Sequence, residues 1–162
     1  MKKWLFLLLM TGVMAAIFLL SAQPGAQSYQ LSAQFAQQIQ QESLASAAPG
    51  WFSADFHANL RKWAHVCLYF LLGVTAALTV CAFRLVRTHP DGLAFLQGGA
   101  LALGTCLLYA ISDELHQHFV PGRACLPTDI LVDAIGFVPG VLLVCGVWYF
   151  LRRRVSHREL SH

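Results

Sequence analysis

Charge is scarce in this chain. Only 12% of its 162 residues are Asp, Glu, Lys or Arg, against about 25% in an ordinary soluble domain. With 57% hydrophobic residues and a mean hydropathy of +0.56, this scarcity excludes a typical soluble domain and points to a membrane protein. Patterned cysteine is missing too. Cys67, Cys81, Cys106, Cys125 and Cys145 form no CxxC pair; all but Cys125 lie inside apolar runs and read as small apolar residues. The net charge of +3 comes from basic residues at segment ends, not from a basic stripe. RNP, zinc-finger and helix-turn-helix spacings are also absent, so nucleic acid is not an expected partner. There is no HExxH or comparable ligand spacing, and no metal or cofactor is expected.

What the chain does have is apolar runs. The first, Trp4 to Leu20, follows Met1-Lys2-Lys3 and suits a signal peptide or a first transmembrane helix. The following Ser21-Ala22-Gln23-Pro24-Gly25-Ala26 puts Pro24 where a cleavage site wants a small residue, so an uncleaved helix is expected. Residues 21–60 form a polar stretch punctuated by Pro24-Gly25 and Pro49-Gly50. Within it Leu31, Phe35 and Ile39 recur at i, i+4, i+8, the mark of a short amphipathic helix on the membrane surface or over the bundle. Trp51 and Phe52 read as interfacial anchors. A second helix is expected to start near Ser53, with its apolar part from Trp63 to Phe83. After the break at Arg84–Gly92, a third runs from Leu93 past Ile111 into Ser112-Asp113-Glu114. Val120-Pro121-Gly122-Arg123 makes a tight turn, and Pro127-Thr128-Asp129 opens a fourth helix, capped by Thr128 and ending at Phe150.

The expected fold is therefore an all-α, four-transmembrane-helix bundle, one integral membrane domain over residues 1–162. Its spans are 4–20, 63–83, 93–112 and 130–150, with 21–60 as the first outer loop. An even number of spans puts both termini on one side. Lys2, Lys3, Arg84, Arg87, Arg152, Arg153, Arg154 and Arg158 fall on that side, eight of the 11 basic residues. The positive-inside rule then makes both termini cytoplasmic and leaves 21–60 and the Pro-Gly-Arg turn outside. Gly136 and Gly140, Gly73 and Ala77, and Gly98 and Ala102 are spaced for close helix contact, and a homodimer stays open.

Three charged clusters adjoin the apolar runs. Lys62, His65 and Tyr69 share a face of the second helix at i, i+3, i+7. Asp113, His116 and Gln117 share one face of the third, and Glu114, Gln117 and His118 share the next. Asp133 lies one turn, about 6 Å, deeper than Asp129. All are expected at the outer leaflet, where Arg61, Lys62 and Arg123 face Asp113, Glu114, Asp129 and Asp133 with one negative charge in excess. Such near balance suits a mutually paired network. Plain readings stand beside it: Arg61 and Lys62 as headgroup anchors, His65 as an interhelical hydrogen bonder, Arg123 as a solvated turn residue, Asp129 as a helix-dipole partner. Asp133 resists such a reading, because an ionisable residue inside an apolar run marks a functional site by default.

The order Lys62-x-x-His65-x-x-x-Tyr69, then Ser112-Asp113-Glu114-x-x-Gln117, then Phe119-Val120-Pro121-Gly122-Arg123, and Asp129-x-x-x-Asp133-x-x-Gly136 resembles the VanZ family of small membrane proteins. The resemblance covers roughly residues 60 to 140. It implies a role in the cell envelope, linked in that family to resistance to glycopeptides such as teicoplanin, and brings no catalytic residues. The family often has Asn at the position of Asp133, so the extra charge here implies a stronger need for Lys62 or Arg123.

Three functions compete. The first is a binding module in the bacterial cytoplasmic membrane. It would hold a lipid headgroup, a lipid-linked cell-wall precursor or an amphiphilic antibiotic, with Lys62 and Arg123 on anionic groups and the aspartates on amines. The second is a membrane-embedded hydrolase or transferase using His65 or Glu114 in acid–base catalysis and Arg123 on anionic charge. A proton-coupled transporter ranks last, since the inner halves of the helices carry no ionisable relay.

Overall fold

The computed structural model describes residues 2–26, 30, 34, 56–83, 92–123 and 126–159; within the last three stretches, side chains are described for 62–83, 96–123 and 126–151. The expected amphipathic helix of Leu31, Phe35 and Ile39, the anchors Trp51 and Phe52, Cys125 and the side chain of Arg61 lie outside the described residues.

Every described element is helical: α1 (Lys2–Ser21), α2 (Phe56–Phe83), α3 (Gly92–His118) and α4 (Pro127–Glu159). Three of these carry a stretch long and apolar enough to cross a membrane, namely Lys2–Ser21, Lys62–Phe83 and Pro127–Leu151. The fourth helix does not stop at Phe150 as expected but continues to Glu159. Only the apolar run ends at Phe150. Arginine is a good helix former, and no Gly or Pro follows to break the backbone. Nor does Thr128 cap this helix. Pro127 is its first residue, a position where the missing N–H costs nothing. The preceding Leu126 N–H is taken by Glu114 Oε2 of α3, at 3.1 Å.

Packing follows from small residues. The most extensive interface is between α2 and α4, and glycines set its closeness. A Cβ on Gly136 would overlap the Val66 carbonyl oxygen, one on Gly140 that of Phe70, and one on Gly73 that of Phe137. The glycine spacing seen in the sequence is thus occupied within the chain. Where lipid is as apolar as leucine, such backbone approach is what holds helices together. Ala76, Ala77, Ala102 and Ala110 extend the same tight core around Tyr69, Leu72 and Phe137. Outward, Leu8, Leu19, Leu108, Leu131, Ile135 and Phe150 are exposed. Around the bundle α1 touches α2 and, more lightly, α3; α4 packs on α2 and α3.

The two ends of the bundle differ. At one, Trp4 meets Phe83 edge-on at 5.4 Å between ring centroids, with Lys3 Nζ over both rings. At the other, the C-terminal ends of α1 and α3 meet the N-terminal parts of α2 and α4. That end carries the polar residues.

Candidate functional site

The site forms because α3 stays helical beyond its apolar run. Nothing between Ser112 and His118 breaks a helix, so Asp113 and Gln117 stack one turn apart and Gln117 Nε2 donates to Asp113 Oδ2 at 2.9 Å. Ser21, the last residue of α1, donates its hydroxyl to the same oxygen, also at 2.9 Å. All three side chains are buried. This triad pins the end of α1 to α3, helped one helical stretch below by Tyr109, whose hydroxyl donates to the Met14 carbonyl. His116 adds a ring stacked on Phe18 at 4.4 Å.

Past α3 the chain turns through Phe119–Arg123. Gly122 takes φ = 74°, a left-handed conformation that glycine adopts without steric cost, and Arg123 N–H closes the turn on the Val120 carbonyl at 3.2 Å. The turn lies against the end of α1, where Gly25 N–H donates to the Pro121 carbonyl at 3.1 Å. Arg123 reaches the same segment. Its Nη2 donates to the Leu20 carbonyl at 2.9 Å and its Nε to the Gln23 carbonyl at 3.0 Å. A helix leaves its last carbonyls without internal partners, and a guanidinium there also meets the negative end of the helix dipole. These bonds tie Arg123 to the end of α1.

On the other side of α3 a small cleft opens, lined by Lys62, His65, Glu114, Gln117, Asp129, Val132 and Asp133. All three clusters expected from the sequence contribute to its wall. Tyr69, Asp113 and Arg123 do not. Tyr69 sits beneath it, fully buried, its ring 6.2 Å from that of His65. Asp113 stands behind Gln117, and Arg123 is on the α1 side. The cleft volume is about 20 Å³, enough for roughly one water-sized group and far below the 300 Å³ or more of a typical drug-sized pocket.

Within the cleft the charge is mostly negative. Glu114 and Asp133 are 3% and 2% exposed, and Asp129 is half-buried. The basic groups are Lys62, exposed at the rim, and His65, whose Nδ1 lies 3.5 Å from Asp133 Oδ1. The partner of Asp133 is therefore His65, not Lys62 or Arg123 as the extra charge had suggested. The reason is geometric: His65 faces Asp133 across the α2–α4 crossing that Gly136 draws close. Asp133 Oδ2 has no hydrogen-bond partner among the described residues, and neither do the Tyr69 hydroxyl and Asp113 Oδ1. Glu114, beyond the apolar run of α3, has its carboxyl pushed above the ordinary range by burial; the Leu126 N–H opposes this, and the charges of Asp129, Asp133 and Asp113 add to it. Among the described residues no group of three or more His, Cys, Asp or Glu is arranged to hold a metal ion.

The sequence reading missed Ser21 and the carbonyls of Met14, Leu20 and Gln23. The available signal was that Ser21 is the first polar residue after the opening apolar run, and so falls at the depth of Asp113 in an antiparallel neighbour.

The long apolar helices and a polar cluster at one end of the bundle define a helical membrane protein. The profile of the VanZ/LLP1 family matches residues 6–151. The chain belongs to the VanZ/LLP1 family. No curated protein and no solved structure matches it.

Proposed function

We propose that this protein is a four-span bacterial cytoplasmic-membrane protein that binds the polar head of an envelope lipid or lipid-linked cell-wall precursor in the cleft between α2, α3 and α4. In this reading 93–112 of α3 is the remaining span, both termini are cytoplasmic and the cleft opens at the outer face. The charge distribution supports that orientation: the expected terminal side carries most of the basic residues, while the acidic cluster lies at the opposite end. One observation carries the binding reading. Ionisable side chains from three helices converge on one water-sized cleft beside the apolar surface, where taking charges out of water needs a return. Lys62, His65, Glu114, Gln117, Asp129 and Asp133 form the ligand-facing set. Tyr69 and Asp113 support it from below and behind, and Arg123 holds α1 against its neighbour. The small volume favours a lipid head over an intact antibiotic.

The test is a lipid-binding screen on purified protein by native mass spectrometry, wild type against Glu114→Gln. Retention of a defined lipid class by the wild type and its loss in the variant supports the cleft. Equal, unselective adduction in both would overturn it.

A second reading rests on the His65–Asp133 contact. A carboxylate beside one imidazole nitrogen orients the ring and leaves the other nitrogen to accept a proton, as a general base must. It predicts turnover of a lipid-phosphate substrate by the wild type that disappears in His65→Ala.

A further inference from the structure

We propose that the end of the bundle opposite the cleft carries a separate site, a basic stripe on the extension of α4 that docks the phosphates of anionic phospholipids. It shares with the binding function above only the membrane placement of α4. The glycine contacts fix where the extension emerges. Gly136 meets Val66 and Gly140 meets Phe70, so α4 runs parallel to α2 and leaves the bundle at the Trp4–Phe83 end. Its apolar span stops at Leu151, but the helix continues to Glu159. Residues 152–159 add about 12 Å of helix, enough to cross the headgroup layer of one leaflet.

Basic residues behind a span follow from orientation alone, but their arrangement here goes further. Arg153 and His157, and Arg154 and Arg158, recur at i, i+4 and so fill two neighbouring rows on one side of the helix. Glu159 shares its row with Val155 instead. Like charges spaced as Arg154 and Arg158 are disfavour a helix, and no acidic residue on the stripe offsets them. The negative end of the helix dipole helps only in the last turn. Phosphates beside the stripe supply the missing counter-charge, and the fork of arginine meets phosphate oxygens two at a time.

An independent observation comes from α1. Lys2 and Lys3 are exposed at this end, and Lys3 Nζ sits 5.7 Å and 5.6 Å from the Trp4 and Phe83 ring centroids. Trp4 is itself 60% exposed, as an interfacial anchor is. Stacking over rings engages the charge of the ammonium, yet its three N–H groups still call for an acceptor. At headgroup depth that acceptor is a lipid phosphate. Four arginines just past a span, joined by these lysines, are the pattern that recruits anionic lipid. The partner is a glycerophospholipid with a net negative head, such as phosphatidylglycerol.

The experiment uses the full chain in detergent with equimolar phosphatidylglycerol, phosphatidylethanolamine and phosphatidylcholine of matched acyl chains, read by native mass spectrometry. The wild type is expected to retain phosphatidylglycerol over phosphatidylcholine by about tenfold, and the triple variant Arg153→Gln, Arg154→Gln, Arg158→Gln to lower that ratio about fivefold. Lysine at the same three positions keeps the charge and should keep most of the preference, which separates lost charge from a folding failure. Glu114→Gln, the variant that tests the cleft, should leave phosphatidylglycerol retention unchanged. If it abolishes that retention, anionic lipid binds in the cleft and the assignment to α4 falls. Equal retention of the three lipids by the wild type overturns the proposal, as does a preference that survives the glutamine variant. A lysine variant that loses the preference as fully as the glutamine one overturns it too.

Discussion

Gly136→Ala is the sharpest test of the fold, because one methyl group is placed where there is no room for it. Its Cβ would overlap the Val66 carbonyl oxygen and stand 3.0 Å from both Phe70 N and Tyr69 Cβ. Two of these three atoms are backbone, so no rotamer change relieves the clash. α4 must move away from α2 by on the order of 1 Å to restore ordinary contact distances. Overpacking of this kind costs about 1–3 kcal/mol, a fall in unfolding temperature on the order of 5 °C for a chain of this length. The same displacement acts on the site. Asp133 lies one turn before Gly136, and its 3.5 Å approach to His65 crosses the same interface. Gly104→Ala is the control, since nothing stands within 4 Å of its Cβ, and it should leave stability unchanged or slightly raised. Thermal unfolding of both variants in one detergent, followed by tryptophan fluorescence, reads the difference. Equal melting of Gly136→Ala and Gly104→Ala would refute the close α2–α4 crossing and, with it, the placing of His65 against Asp133.

Other consequences are as direct. Arg123→Ala removes two charge-assisted bonds to the Leu20 and Gln23 carbonyls, each worth about 1.5–3 kcal/mol; hydrogen exchange at residues 20–26 should rise, and Arg123→Lys should restore it only in part, lacking the planar fork. Ser21→Ala and Asp113→Ala remove the two sides of one bond, so their effects on unfolding should be non-additive by roughly 1 kcal/mol; strict additivity would show that the bond does not hold α1. Because burial holds the Glu114 carboxyl above its ordinary range, it ionises late as pH rises. Lipid binding in the cleft should therefore change on acidification before a solvated carboxylate would protonate, and Glu114→Gln should flatten that profile.

The helices were legible in the sequence because apolar run length is a strong signal, and the polar convergence was legible because antiparallel helices must bring 62, 113 and 129 to one end. The partners within the cluster were not. Charge counting set Lys62 and Arg123 against the aspartates, but counting has no geometry. Arg123 follows a left-handed glycine, which aims it at α1, and the open carbonyls at a helix end are a partner that residue identities do not display. In the same way Thr128 has the right chemistry for a cap, yet the helix already begins at Pro127, and the Leu126 N–H just before it is taken by Glu114 from another helix, a contact that no local window contains. The role of Gly136 and Gly140 lay between. Their spacing marked a close contact without saying whether a second chain or α2 would fill it.

The carboxylates also separate by how completely the fold uses them. Asp113 Oδ2 accepts from both Ser21 and Gln117, and one Glu114 oxygen accepts from Leu126; helix clamping accounts for these bonds, while Asp113 Oδ1 stays open. Asp133 has looser contacts, with His65 at 3.5 Å and with the Tyr69 hydroxyl, and its Oδ2 makes no well-formed hydrogen bond among the described residues. A buried acceptor left open costs about 1–3 kcal/mol, and a neutral side chain of the same shape would avoid the larger cost of burying charge. If Asp133 served stability, Asp133→Asn would weaken the protein. If it serves a ligand, the same change should leave the empty protein equally or more stable, by up to about 1–2 kcal/mol, while lipid selectivity is lost. Measured on one preparation, lipid retention therefore falls while melting temperature holds or rises under the functional account, and both fall under the structural one.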